Sequence, residues 1–356
     1  MKPASPQGRF AAWLAVAGML VGPGIAPVSV AADVLPKHVT PETLRAIRSG
    51  LDFLARSQNK DGGWANQQDG RTYPAAMTGL AGMAFIAHGN TCTRGKYAQN
   101  VQAAVDYLAT CSDADGLISG PGNDSGMPMH GHGFALLFLA SAYSSVKKGP
   151  KKEKLKVVIE KAVQLTSRGQ SNLGGWTYTP GHGDEGSVTV TQVQALRACH
   201  NAGFIVPKST IERAVKYIEM CGNSDGGIRY SFGSGGGSMI AISAAAVATL
   251  YNAGEFDAPI AERCLEFVDT RFRATKGWSK GSGHEFYMHL YASQGFYMAG
   301  DKHWDAYFPE TRDELIRMQN RGDGSWTGDG IGQVFGTAVA CTILQLPFKF
   351  CPVYQR

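Results

Sequence analysis

The residues best suited to chemistry gather in a few glycine-rich stretches. Gly183-Asp184-Glu185-Gly186-Ser187-Val188-Thr189 places two adjacent carboxylates just before an apolar run. A carboxyl group kept protonated by apolar surroundings could act there as a general acid. Asp184 or Glu185 could equally cap a helix beginning near Ser187. Other stretches hold Asp124, His130 and His132; then His182; then His284 and Glu285 with Tyr287 and His289; and finally Asp329. His130-Gly131-His132 could chelate a metal, but His284 and His289 are five residues apart, and a helical zinc pair needs four. Hydrogen bonding among loops is the simpler role for these histidines, and no metal or cofactor is expected. Tyr178, Tyr230 and Tyr287 flank the same stretches and could stabilise a cation through their ring faces or simply pack. The candidate catalytic residues are therefore Asp184, Glu185 and Asp124. The candidate ligand-binding residues are His130, His132, Tyr178, His182, Tyr230, His284, Glu285 and Tyr287.

The elements that must position these groups repeat six times. The turns read Asp61-Gly62-Gly63-Trp64, Asp115-Gly116-Leu117-Ile118, Leu173-Gly174-Gly175-Trp176, Asp225-Gly226-Gly227-Ile228, Thr275-Lys276-Gly277-Trp278 and Asp323-Gly324-Ser325-Trp326. The period is near fifty residues, which is the mark of a repeat architecture. An amphipathic helix precedes each turn: Leu44, Ile47, Leu51 and Leu54 share a face, as do Val101, Val105 and Leu108, and Ile211, Val215 and Ile218. The helix after each turn is apolar all round, as in Ile240 to Leu250, and so must be buried on all sides. Ala75 to Ala87, Gly133 to Ala142, Val188 to Ala202 and Phe335 to Leu346 have the same character.

Amphipathic outer helices alternating with apolar inner ones predict an all-α fold, a single (α/α)6 toroid. Each turn glycine would give the left-handed end of an outer helix, and each tryptophan would pin neighbouring repeats. The glycine-rich stretch in every repeat leads into an inner-helix N-terminus. Six N-termini, with their unpaired N–H groups, should therefore share one rim. The titratable residues named above lie on that rim, which makes it the place to look for a site.

Composition bounds the rest. The 356 residues are 44% hydrophobic and 18% charged, enough for a sizeable core. The net charge of +5 includes Lys2 and Arg9 and shows no dense basic patch, so nucleic acid is excluded as a partner. Lys2 and Arg9, the apolar run Phe10 to Val21 and the small residues Val30-Ala31-Ala32 form a secretory signal, residues 1–32. The expected mature domain is 33–356, exported to the periplasm or secreted after cleavage near Ala32. Seven cysteines are too few for a disulfide-built scaffold. Ring closure would bring Cys92 and Cys351 near each other, and a disulfide between them is one expectation.

Gln58-Asn59-Lys60-Asp61-Gly62-Gly63-Trp64 and Gln319-Asn320-Arg321-Gly322-Asp323-Gly324-Ser325-Trp326 resemble the QW motif of the terpene cyclase and prenyltransferase repeat superfamily, which includes squalene–hopene cyclases. The resemblance covers the mature chain and implies the toroid. In the cyclases a DxDD motif before an inner helix protonates the substrate; Asp184-Glu185 stands at a comparable place without matching it. In the protein prenyltransferases zinc is held by an Asp-x-Cys and a distant His; no such pair precedes an inner helix here.

Two functional readings follow. In the first, the chain binds or transforms an isoprenoid or other apolar small molecule at the glycine-rich rim, coming near membranes through that ligand; an enzyme of this kind would be a cyclase or mutase, with Asp184 or Glu185 as the acid. It requires a deep apolar cavity. In the second, the toroid is a non-catalytic surface for a protein or glycan, with a shallow or filled centre. An α/α-barrel enzyme acting on polysaccharide is a further variant, since such enzymes pair carboxylates with aromatic platforms. The sequence does not set an oligomeric state.

Overall fold

The computed structural model describes residues 35–65, 73–274 and 284–356, and residues 35–356 form one compact unit. The signal segment 1–32 and the turn at Trp278 lie outside the described residues. Among the described residues, twelve helices of two or more turns alternate between two layers. The outer ones are α1 (Pro41–Ser57), α3 (Ala98–Thr110), α5 (Pro150–Arg168), α7 (Lys208–Met220), α9 (Pro259–Ala274) and α11 (Asp301–Met318). The inner ones are α2 (Pro74–Ala87), α4 (Pro128–Ala142), α6 (Gly186–Asn201), α8 (Ile240–Ala253), α10 (Glu285–Ala299) and α12 (Gln333–Gln345). Each inner helix packs against the next, and α12 packs against α2, so the ring closes as an α/α toroid.

The layers follow from the side chains. Every residue of α2 is buried, as a helix without a polar face requires. Gly79 shows how close the inner helices come: a methyl group there would lie 2.5 Å from the Phe134 backbone of α4. Outer helices carry a buried stripe, Ile47, Leu51 and Leu54 in α1, and leave the other face to solvent. Thr40 caps α1 through a reciprocal bond with Thr43, and Pro41 fits the first turn. The start of α7 has no side-chain cap.

The repeated turns join each unit to the next. Gln58 Nε2 donates to Gly62 O of its own turn (2.7 Å) and to Asn100 O of α3 (3.0 Å). Gln170 does the same with Gly174 O and Thr210 O, and Gln319 with Gly324 O and Ala46 O. The last of these links unit six to α1. The aspartate stays local: Asp61 accepts from Gly63 N–H, and Asp225 from Gly227 N–H. Trp64, Trp176 and Trp326 are buried, and each indole N–H donates to a carbonyl of its own outer helix: Leu54, Thr166 and Leu315. The turn glycine is left-handed, with φ near 95° at Gly62, but it is not the helix terminus. Helix α1 ends at Ser57 with an extended Gln58, and Gly62 instead lies against the Ala103 carbonyl of α3. Only a residue lacking Cβ fits there.

Beyond α12 the chain crosses the rim where the inner helices end. Phe350 lies against Gly89, the short turn Pro352–Tyr354 packs on α6, and Arg356 reaches Asp257 at 3.3 Å. The tail therefore runs from unit one to unit four and brings buried Tyr354 inward, within electrostatic range of Tyr291 in α10. This path corrects the expected disulfide. All seven cysteines are free; the Cys92 N–H turns to Ser145 Oγ, while Cys351 lies where the tail bends inward.

Candidate functional site

Three carboxylates occupy inner-helix N-termini on the glycine-rich rim. Asp124 accepts from Ala75 N–H at the start of α2 (3.0 Å) and from Gly120 N–H (2.8 Å). Glu185 is the N-cap of α6 and accepts from Ser187 N–H (2.9 Å) and Val188 N–H (2.7 Å). Asp329 accepts from Phe286 N–H and Tyr287 N–H of α10, both at 2.9 Å. Helix N-termini attract anions, and here the protein supplies its own. Asp124 and Asp329 each serve the inner helix of the preceding unit from a left-handed backbone conformation, φ 45° in both, which aspartate tolerates better than most residues.

Burial raises all three against these hydrogen bonds. Asp124, fully buried, is pushed up to about 6, and Glu185 and Asp329 also rise above the ordinary carboxylate range. The adjacent acids part company. Asp184 is half-buried and accepts from Phe232 N–H of the next loop (3.3 Å), whereas Glu185 is 1% exposed and turned under the mouth.

Around Glu185 gathers a cluster drawn from four units. Ser187 Oγ donates to the Glu185 carboxylate at 2.7 Å and lies 3.3 Å from His130 Nε2. The hydroxyls of Tyr178 and Tyr230 meet at 2.5 Å, and the His130 ring lies 5.8 Å from that of Tyr178. Tyr287 donates to Ser187 O at 3.3 Å, and its ring lies 4.9 Å from Tyr291. The Glu185 charge raises all four tyrosines, although burial is the larger cause for each. Burial holds His130 down to about 4, so it is neutral at pH 7.

Below this cluster a polar contact crosses the interior. Gln194 of α6 donates to Gln294 Oε1 of α10 at 2.6 Å. These helices are not neighbours: α8 stands between them in the ring, and the amides meet inside it. The run Ala244 to Ala246 keeps α8 thin enough for that reach. Both glutamines and Tyr291 are buried, and Tyr354 approaches from the far side.

Several sequence candidates sit elsewhere than expected. Helix α4 begins at Pro128, so His130 and His132 belong to an inner helix and not to a loop. His132 Nδ1 accepts from the turn N–H of Ile118 (3.1 Å), and its Nε2 meets Thr166 Oγ1 (2.9 Å), with no exposed surface. Thr78, Thr189, Ser243 and Thr337 brace their own turns from the same register, receiving the N–H groups of Trp64, Trp176, Ile228 and Trp326. His132 is thus a turn brace, correcting its reading as a rim ligand. His289 holds that register in α10 and lies 2.7 Å from Tyr307 Oη. His182 and His284 are exposed on the rim and Glu285 is half-buried at the start of α10. Among the described residues no group of three metal-binding side chains forms. The sequence reading passed over Ser187 and Tyr291; the N2 position of a helix opposite His130 was the available signal for the first.

No protein-family description matches the chain, and no curated protein sequence does either. Solved structures do match. The type II terpene cyclase MstE from Scytonema, in complex with its product merosterolic acid A, is 14% identical with a TM-score of 0.60, covering 86% of this chain and 97% of its own. An α-1,6-mannanase of Salegentibacter, in complex with α-1,6-mannotriose, is 7% identical with a TM-score of 0.59, covering 85% and 98%. A sugar epimerase from a ruminal bacterium is 10% identical, also at 0.59, covering 86% and 98%. The chain shares the α/α-toroid fold of the terpene cyclases, a fold also used on sugars.

Proposed function

We propose that this chain is an exported recognition toroid that binds the end group of a larger ligand at its glycine-rich mouth. One observation carries the reading: Gln194 and Gln294 meet at 2.6 Å inside the ring, with Tyr354 beneath. An isoprenoid chain drawn in along the axis would have to break that contact and strand the buried Gln194 Nε2 donor and Gln294 Oε1 acceptor, each at a cost of about 1–3 kcal/mol, while Gln294 Nε2 keeps its bond to Leu290 O. A ligand that stops at the mouth meets Tyr178, Tyr230, Tyr287 and His130 without displacing anything. The raised carboxylates fit the same reading, because each is committed to backbone N–H groups as a helix cap.

The second reading, an apolar-ligand enzyme of the cyclase or mutase type, is favoured by Glu185, a buried acid among tyrosines. One experiment separates the two. The mature protein is incubated with squalene, geranylgeraniol, mannotriose and basic peptides, following both melting temperature and product mass. The recognition reading expects a ligand that stabilises the protein, unchanged in mass, with the effect lost in a Tyr178→Ala, Tyr230→Ala double variant. A cyclised isoprenoid product that disappears in Glu185→Gln would overturn it.

A further inference from the structure

The mouth combines features whose sum has a definite chemical preference. Tyr178, Tyr230 and Tyr287 are each partly exposed, and Glu185 lies under them at 1% exposure. Among the described residues no lysine or arginine forms an ion pair with Glu185, Asp124 or Asp329. The nearby imidazole of His130 is neutral and adds no positive charge. Tyr291 is fully buried beside this group, its ring 4.9 Å from that of Tyr287. Partly exposed tyrosine rings beside a buried carboxyl that is hydrogen-bonded but faces no cationic side chain favour positive charge: the ring quadrupoles offer negative faces, and the low dielectric preserves the pull of the acid. An isoprenoid tail would gain nothing from the acid.

We propose that this mouth binds an organic cation of the quaternary ammonium or alkylammonium type, its head resting on Tyr178, Tyr230 and Tyr287 above Glu185. The inference rests on the recognition reading and names its ligand class. A head group of that size ends where the interior closes, so the rest of the ligand stays outside. Two sources share this chemistry: a free small molecule and a lipid head group.

The test uses the wild-type mature protein with choline and its neutral isostere 3,3-dimethyl-1-butanol, followed by calorimetry and by tyrosine side-chain NMR shifts. Phosphatidylcholine vesicles form the other arm, with phosphatidylglycerol vesicles as the control. The expected result is at least a tenfold preference for choline over the isostere, a loss of about tenfold in Tyr230→Leu, and tightest binding by one arm that identifies the source. Equal affinity for choline and the isostere, or no binding in any cationic arm, overturns the proposal, and neither result depends on a variant folding. Binding of mannotriose or geranylgeraniol that is lost in Tyr230→Leu, without choline binding, defeats the cation and leaves the mouth. Choline binding indifferent to Tyr230→Leu defeats both.

Discussion

Replacing Gln319 with leucine tests whether the ring is closed. Gln319 Nε2 donates to Gly324 O at 2.8 Å and to Ala46 O of α1 at 2.9 Å, joining the last unit to the first. Gln170 makes the same two bonds between units three and four, at 2.7 and 2.8 Å. Each such bond contributes about 0.5–1.5 kcal/mol net, so Gln319→Leu should cost about 1–3 kcal/mol. Gln319 is only partly buried while Gln170 is buried, which puts Gln319→Leu in the lower half of that range and Gln170→Leu in the upper. For a domain of this size the loss corresponds to about 1.5 °C in melting temperature per kcal/mol. Urea unfolding of the mature protein under reducing conditions, monitored by circular dichroism and by tryptophan fluorescence, measures both variants. In a closed ring both lose stability in one cooperative transition. If Gln170→Leu loses stability and Gln319→Leu does not, units six and one do not meet and the ring is open.

Three further outcomes are expected. Thr189→Val keeps the side-chain shape but strips the acceptor from the buried Trp176 N–H, a loss of about 1–3 kcal/mol by urea unfolding; an unchanged midpoint would mean the brace is dispensable. Burial raises Asp124 to about 6 from 3.8, so the folded protein holds this proton more tightly than the unfolded chain. Its contribution is complete below about pH 4 and is lost as pH rises through 6, about 3 kcal/mol in all; Asp124→Asn should flatten that slope, and parallel profiles would refute the assignment. The unreduced mature protein should have the intact mass of seven free thiols, and a mass two hydrogens lighter would restore a disulfide.

Much of the scaffold is legible in the chain because its bonds are local and repeated. Gln58, Asp61, Gly62 and Trp64 each act within one turn or on the next helix, so the same physical need writes the same letters in successive units. The all-round apolar character of α2 likewise declares burial without reference to any partner. The site was harder to read. His132 looks like a ligand until the units are laid in register, when it falls on the position of Thr78, Thr189, Ser243 and Thr337. Pro128 at the first position of α4 was the sign that both histidines belong to a helix. Glu185 and Asp184 could not be told apart by type, since only the entry angle into α6 sends one inward and the other toward Phe232. The contact that crosses the interior was beyond sequence reasoning altogether. Gln194 and Gln294 are one hundred residues apart, and their meeting depends on ring closure and on the small side chains of α8 between them.

The central claim is that the ring is filled and its ligand stops at the mouth. A crystal structure of the mature protein under xenon pressure tests this most directly, because xenon enters dry apolar cavities. The account predicts Gln194 and Gln294 in contact, Tyr354 below them, and no xenon along the axis. A row of xenon sites running inward from the glycine-rich mouth, with the two glutamines apart, would contradict it.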